Sequence, residues 1–249
     1  MDRKYTVVTI KERPDLAEEI NKLHSAGWAK FMIEDPIAVK YWNNLPSWFP
    51  EFQYILLDEE FRSVACGNAI PFSWDGNENS LPSGWDAVFE KGILNYQDKI
   101  PSNSLSALAI VIHPEFRGMG LSELMVQEMK GLAIKNKIKR MVAPVRPSLK
   151  SKYPLIPMKE YIGWVRKDGT PFDPWIRTHY RTGGSIIKVA ERSMVIPAPV
   201  KVWEEWTGMR LPSTGSYIID DGLVPLEVDK RDDRGVYVEP NVWMRHPLD

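Results

Sequence analysis

One cysteine, Cys66, in a chain of 249 residues has nothing to pair with, so an internal disulfide framework is excluded, along with any multi-cysteine zinc or iron-sulfur centre. A reducing compartment, the cytoplasm, is the expected location. Neither sign of charge is in excess: 32 Lys plus Arg face 33 Asp plus Glu, and a net charge of -1 gives no general attraction to nucleic acid or to an anionic membrane. Long hydrophobic runs are missing too. The longest, residues 107–112, falls far short of the roughly 20 residues that cross a bilayer. The start, Met1-Asp2-Arg3-Lys4 before a short stretch at 5–10, lacks the apolar region of a signal peptide. A soluble protein is expected, with no membrane and no nucleic acid among its partners.

What is present is the material of a core. Hydrophobic residues make up 43% and charged residues 26%, and 10 Trp are too many for a disordered chain. The length suits one large domain or two small ones.

The pattern along the chain is mixed α/β. The β-branched stretch at 5–10 predicts a strand, and Pro14-Asp15 opens a helix with Leu16, Ile20 and Leu23 on one face. A second helix over 28–42 is expected to break near Pro36. Strands are predicted at 52–57 and 63–70, joined as a hairpin. Residues 71–103, rich in Trp, Asn, Ser, Gly and Pro around one amphipathic piece, predict a lid or insertion. The run at 105–112 is nearly all apolar, as a strand covered on both faces must be. A helix over about 119–136 follows, with Leu121, Leu124, Met125, Met129, Leu132 and Ala133 at helical spacing, and then a strand from 139 whose pairing Pro144 interrupts. Strand, helix and strand form a right-handed βαβ unit. Beyond it the sequence predicts a helix after Asp173-Pro174, ended by Gly183-Gly184, a strand at 186–189, and a helix from Pro199 to Trp206.

The chemistry concentrates in the turn Pro114-Glu115-Phe116-Arg117-Gly118-Met119-Gly120-Leu121-Ser122. Glycines at a helix start leave backbone N–H groups uncovered, and these, with the positive end of the helix, favour a phosphate. A dinucleotide fingerprint would need a third glycine where Glu123 stands, and the lysine of a triphosphate loop is absent. A glycine turn that only caps a helix fits the same residues.

Arg117-Gly118-Met119-Gly120-Leu121-Ser122, preceded by Ile110-Val111-Ile112-His113-Pro114, resembles motif A of the GNAT superfamily of acyl-CoA-dependent N-acetyltransferases. Ser122 replaces that family's small apolar residue. The resemblance implies a mixed, mostly antiparallel central sheet flanked by helices, with acetyl-CoA or another acyl-CoA as co-substrate and no metal. It implies that the amides of Arg117, Gly118, Met119, Gly120, Leu121 and Ser122 hold the CoA pyrophosphate, and that backbone groups of Ile110 and Ile112 pair with the pantetheine arm. The family's second landmark, a short helix running into Gly-Phe and a strand, is matched best by the segment Asp173-Pro174-Trp175-Ile176-Arg177-Thr178-His179-Tyr180. The segment from Arg146 to Tyr153 competes. Asp173 is counted with the cofactor-binding residues. Tyr180 is similar to the tyrosine that protonates the departing thiolate, and His179 is the alternative acid or base.

On this reading residues 1–189 form an acyltransferase core, with insertions at 71–103 and 147–172, and residues 190–249 are a C-terminal extension packed on the same domain. The expected reaction is direct transfer of a short acyl group to a primary amine of a small molecule in a ternary complex. A non-catalytic CoA-binding module and a protein acetyltransferase are the competing functions, and a homodimer is left open. The base is not evident, because 105–112 holds no carboxylate. Glu34, Asp35 and Asp86 are candidates acting through water, although the ordinary reading of each is a solvated surface charge. Cys66 is read as a packed thiol, and His24 and His246 as isolated. The aromatic residues among 28–89 are read mostly as core, some lining an apolar pocket.

Overall fold

The structure is a computed structural model that describes residues 5–248. In chain order the strands are β1 (Thr6–Thr9), β2 (Gln53–Leu57), β3 (Ser63–Phe72), β4 (Ser104–Ile112), β5 (Arg140–Val145), β6 (Ser185–Ala198), β7 (Gly215–Tyr217), β8 (Leu226–Asp229) and β9 (Arg234–His246). The helices are α1 (Ala17–Gly27), α2 (Lys30–Ile33), α3 (Pro36–Tyr41), α4 (Leu45–Trp48), α5 (Trp85–Gln97), α6 (Leu121–Lys135), α7 (Met158–Tyr161), α8 (Pro174–Arg181) and α9 (Val200–Thr207). All described strands join one sheet in the order β1-β2-β3-β4-β5-β9-β8-β7, with β6 paired to β9. Only the β4–β5 pairing is parallel; the others are antiparallel.

The first strands form for the reason the sequence suggests. β2 and β3 are buried along almost their whole length, and residues that alternate to opposite faces must then be apolar or small on both. Gly67 is dictated by packing: a β-carbon there would collide with the Tyr54 ring. The Tyr54 hydroxyl donates to the Met125 carbonyl, tying α6 to the sheet. α6 buries Leu121, Met125, Met129 and Leu132 on that sheet at helical spacing. Each such side chain removed from water is worth about 1.5–3 kcal/mol.

The structure bears on three expectations. Of residues 71–103, read as a lid or insertion, Pro71 and Phe72 complete β3, and α5 packs on β3 and β6 with Val88, Phe89 and Ile93 fully buried. The boundary drawn at 189 falls inside β6, which runs on to Ala198 through bulges that turn Glu191 and Arg192 outward. Residues 190–249, read as an extension packed on the same domain, supply β7, β8 and β9 to the same sheet; the first half of β9 lies between β6 and β8 and its second half between β6 and β5. Among the described residues no helix is long and apolar enough to cross a membrane.

Candidate active site

The site is made by a failure of pairing. β4 and β5 bond only at Ser104–Arg140, Leu105–Met141 and Ser106–Val142, whereas β5 stays paired to β9 from Met141–His246 through Val145–Val242. Pro144 has no N–H to offer β4 in any case. On its other edge β4 carries a bulge: Asn68 pairs Ala109 and Ala69 pairs Ala107, leaving Leu108 as the extra residue. The Trp85 indole nitrogen donates to the Leu108 carbonyl at 2.8 Å. The strands therefore splay from Ala107 onward, and a cavity of about 870 Å³ passes along the gap, lined by residues 107–112 on one side and 143–146 on the other.

At one end of the gap lies the glycine turn. Gly118 (φ +80°) and Gly120 (φ +77°) are both left-handed, and a β-carbon at either would meet nothing within 4 Å. Gly120 is the N-cap of α6, with no side chain capping the helix, so the N–H groups of the first turn have no intrahelical acceptor. Arg117 and Ser122 line the cavity, and the Arg117 Nε lies 3.4 Å from the Ile112 carbonyl. Leu121 is buried beneath α6, Met119 is exposed, and Ile110 and Ile112 are half-buried on the cavity wall.

At the other end is an aromatic chamber. Trp28, Trp42 and Trp85 line it, with the Trp42 and Trp85 rings nearly parallel at 6.4 Å between centroids. Trp28 is held by a chain of hydrogen bonds running into the sheet. Its indole N–H donates to His24 Nδ1 at 3.0 Å, so His24 carries its proton on Nε2 and donates to Asn68 Oδ1 at 2.8 Å. Asn68 donates to Gln53, which donates to the carbonyls of Phe49 and Ala69. Burial lowers the His24 pKa to about 4, keeping the imidazole neutral.

Behind the chamber are polar groups that the sequence scattered. Asp35 caps α3, accepting from the amides of Ile37 and Ala38, and Asp86 in the first turn of α5 accepts from the Val195 amide. The remaining oxygens, Asp35 Oδ2 and Asp86 Oδ1, are buried without a donor. Burial raises both carboxyls, and the neighbouring Asp35 helps push Asp86 up to about 8. Two carboxyls side by side in this setting hold one proton between them. Glu239, fully buried, accepts from Arg146, the Tyr237 hydroxyl and Asn241. Asn241 reaches the cavity wall and accepts from Ser193, whose hydroxyl accepts from the Trp85 amide.

The helix and strand expected after Asp173 form as α8 and β6, whereas Arg146 to Tyr153 holds only a 3-10 turn at Lys150–Lys152. The residues singled out on α8 separate. His179 is buried and lines the cavity beside Trp175. It shares a 2.8 Å hydrogen bond with His246, so His246 is not isolated, and neither is His24, bonded to Trp28 and Asn68. Burial, and then the mutual approach, hold the His179 pKa well below the ordinary value; burial takes His246 to about 4. Tyr180 is 53% exposed and is not part of the cavity wall. Asp173 is buried away from the cavity, its carboxylate accepting from Trp175, Ile176, Ser148, Leu149 and the Tyr161 hydroxyl, so it joins segments 147–172 and α8. Glu34 is exposed, as a surface charge should be; Asp35 and Asp86 are not. Burial takes the Cys66 thiol up to about 12, consistent with a packed side chain. Among the described residues no group of three His, Cys, Asp or Glu side chains could hold a metal ion.

Sequence reasoning missed Arg146, Glu239 and the pairing of Asp35 with Asp86. Asp35-Pro36 has the same form as Asp173-Pro174, an N-cap before a helix-opening proline, and that signal could have marked it as ordered.

Comparison with known proteins agrees with this geometry. The protein described as arginine N-acetyltransferase avaD of Aspergillus versicolor is 34% identical over 275 aligned positions, covering 98% of this chain and 94% of that one. Among solved structures, the loading GNATL domain of CurA from Lyngbya majuscula superposes with a TM-score of 0.63 at 17% identity, covering 98% of each chain. The GphF GNAT-like decarboxylase, solved with isobutyryl-CoA, gives 0.59 at 14% identity over 99% of this chain and 100% of that one. No family model matches the chain.

Proposed function

The chain belongs to the GNAT superfamily and is an acyl-CoA N-acyltransferase, and from that premise we propose that it acetylates a small amine of the arginine type by direct attack on the bound thioester. The observation that carries this reading is the single cavity joining an uncapped helix start to an aromatic chamber through the β4–β5 splay.

The acyl donor fits the residues present. Gly118 and Gly120 leave space that a β-carbon would enter, and the first turn of α6 offers unpaired amides to a pyrophosphate. Beyond Ser106 the β5-facing edge of β4 has no strand partner, so backbone groups around Ile110 and Ile112 are available to the amide-bearing pantetheine arm. The aromatic walls of Trp28, Trp42 and Trp85 favour a small acceptor.

The relative's name supplies the acceptor class, arginine. Its α-amine, which in a free amino acid titrates about a unit above the value of about 8 for a peptide's terminal amine, still gives up a proton far more readily than a guanidinium above 12, so the α-amine is the proposed nucleophile. The Asp35–Asp86 pair, poised to exchange one proton near neutrality, is the proposed proton acceptor on that side. The departing group is a thiolate, a far weaker base than an alkoxide, and needs only modest assistance. His179, a neutral imidazole on the cavity wall, is the proposed hydrogen-bond partner of the sulfur, and Tyr180 on the same helix is the competing one.

The test is release of free CoA thiol from acetyl-CoA with arginine, with a panel of other small amines and with peptides. Turnover with arginine-like amines and none with peptides is expected. Tight CoA binding with no thiol release from any amine would overturn the reading.

A further inference from the structure

Arg146 stands one residue past β5, on the cavity wall at the acceptor end, with its guanidinium 6.0 Å from the centre of the Trp28 ring. It is immobilised. Nε donates to both oxygens of Glu239 at 2.9 and 3.1 Å, and Nη2 donates to the Asp221 carbonyl at 2.6 Å. Glu239 is itself fixed by Tyr237 and Asn241. Its side chain is fully buried, whereas that of Arg146 keeps 20% of its surface exposed.

A guanidinium has five N–H groups in a rigid fork. Glu239 and Asp221 occupy the edge formed by Nε and Nη2. The far end, both N–H groups of Nη1 and the second of Nη2, meets no acceptor among the described residues. A purely structural latch between β9 and the Asp221 loop would need only the occupied edge. What remains is a charged, pre-oriented pair of nitrogens on the wall of a mixed cavity that Asp221 and Asn241 also line, where an oxyanion with two oxygens binds end-on by two parallel charge-assisted bonds.

We propose that Arg146 is the seat for the carboxylate of the acceptor, so that the enzyme takes a free α-amino acid rather than a decarboxylated amine or a residue already joined through its carboxyl. This rests on the proposed acyl transfer to a small amine. It adds that the α-amine is placed by the carboxylate beside it, one carbon away, with the side chain left to the aromatic walls.

The wild-type enzyme tests it through the ligand. Arginine, arginine amide and agmatine share the guanidinium and a primary amine, and only arginine has a carboxylate. Each is measured by thiol release with acetyl-CoA and by calorimetric binding to the enzyme loaded with CoA. Arginine should exceed the other two by about 10²-fold in kcat/KM and by a similar factor in affinity, since a lost charge-assisted partner in a desolvated site costs that order. In Arg146→Gln/Glu239→Gln, where no unpaired buried carboxylate is left behind, that preference should shrink to about threefold or less, with thermal unfolding confirming a folded chain. Equal affinity of the three ligands for the wild type overturns the assignment of Arg146. So does a preference that survives in a folded double variant. Absence of thiol release with every amine would instead overturn the acyl-transfer reading, and the binding arm would still decide the role of Arg146.

Discussion

Replacing Gly120 separates backbone strain from ligand contact, because the free protein leaves room there. A β-carbon at Gly120 meets nothing within 4 Å, so the cost of Gly120→Ala in the absence of CoA is confined to holding a non-glycine residue at φ +77°. That is about 1–2 kcal/mol, or a fall in Tm of roughly 2–8 °C for a chain of this size. Gly208, the C-cap of α9 at φ +67°, also has nothing within 4 Å and lies off the cavity wall. Gly208→Ala should therefore cost the same stability and serve as the control. The two variants should part only when CoA is added: calorimetry should give unchanged affinity for Gly208→Ala and at least tenfold weaker binding for Gly120→Ala. Gly120→Glu adds a charge. A carboxylate about 5 Å from one phosphate charge costs about 1 kcal/mol at water-like screening and about 3 at the screening typical of protein surfaces. With two phosphates and added bulk, CoA binding should be abolished while Tm falls little further than in Gly120→Ala. Near wild-type CoA affinity in Gly120→Glu, or an equal loss in Gly208→Ala, would show that this turn does not hold the pyrophosphate.

Asp86→Asn should convert the carboxyl pair into an ordinary amide–carboxylate hydrogen bond. The folded pKa of Asp86 lies above its unfolded value, so its contribution is present below about pH 4 and is lost as pH rises toward about 8. The variant should then gain Tm over the wild type between pH 7 and 9 and lose that gain near pH 4; a parallel pair of Tm–pH curves would exclude the shared proton. His24, His179 and His246 have folded pKa values below 6.5, so their contribution is full above that pH and should drain away as pH falls toward about 4. Scanning calorimetry should show Tm dropping over that window, less steeply in His246→Gln. For the thiolate side, His179→Gln should lower kcat by about tenfold or more while Tyr180→Phe stays within about twofold. The reverse pattern, read by steady-state thiol release, would return the role to Tyr180.

The parts legible in the sequence were those whose signal is local. A strand covered on both faces must be apolar throughout, and a helix started on glycine must show it, so β4, its turn and α6 could be read directly. The N-cap and proline of Asp173-Pro174 marked α8 in the same way. What could not be read depends on partners far along the chain. β6 hides its length because Glu191 and Arg192 at a bulge break the alternation that identifies a strand, and β9 contains Pro240 in its middle. Arg146 looked like the start of a possible helix because Glu239, its buried partner, lies on the last strand. Asp35 and Asp86 each resemble a surface charge, and only the packing of α3 against α5 brings them together.

The position of β9 has a consequence for synthesis. A ribosome releases β5 long before β9, with a gap of about ninety residues between them. Throughout that interval the outer edge of β5 has no partner, and on its other side the splay from β4 leaves it bonded at only three positions. An unpaired, largely apolar strand edge is a template for pairing with another chain. The nascent protein thus passes through an aggregation-prone stage that ends only when β9 is made, and nonsense mutations just upstream of β9 should yield insoluble product rather than a folded fragment.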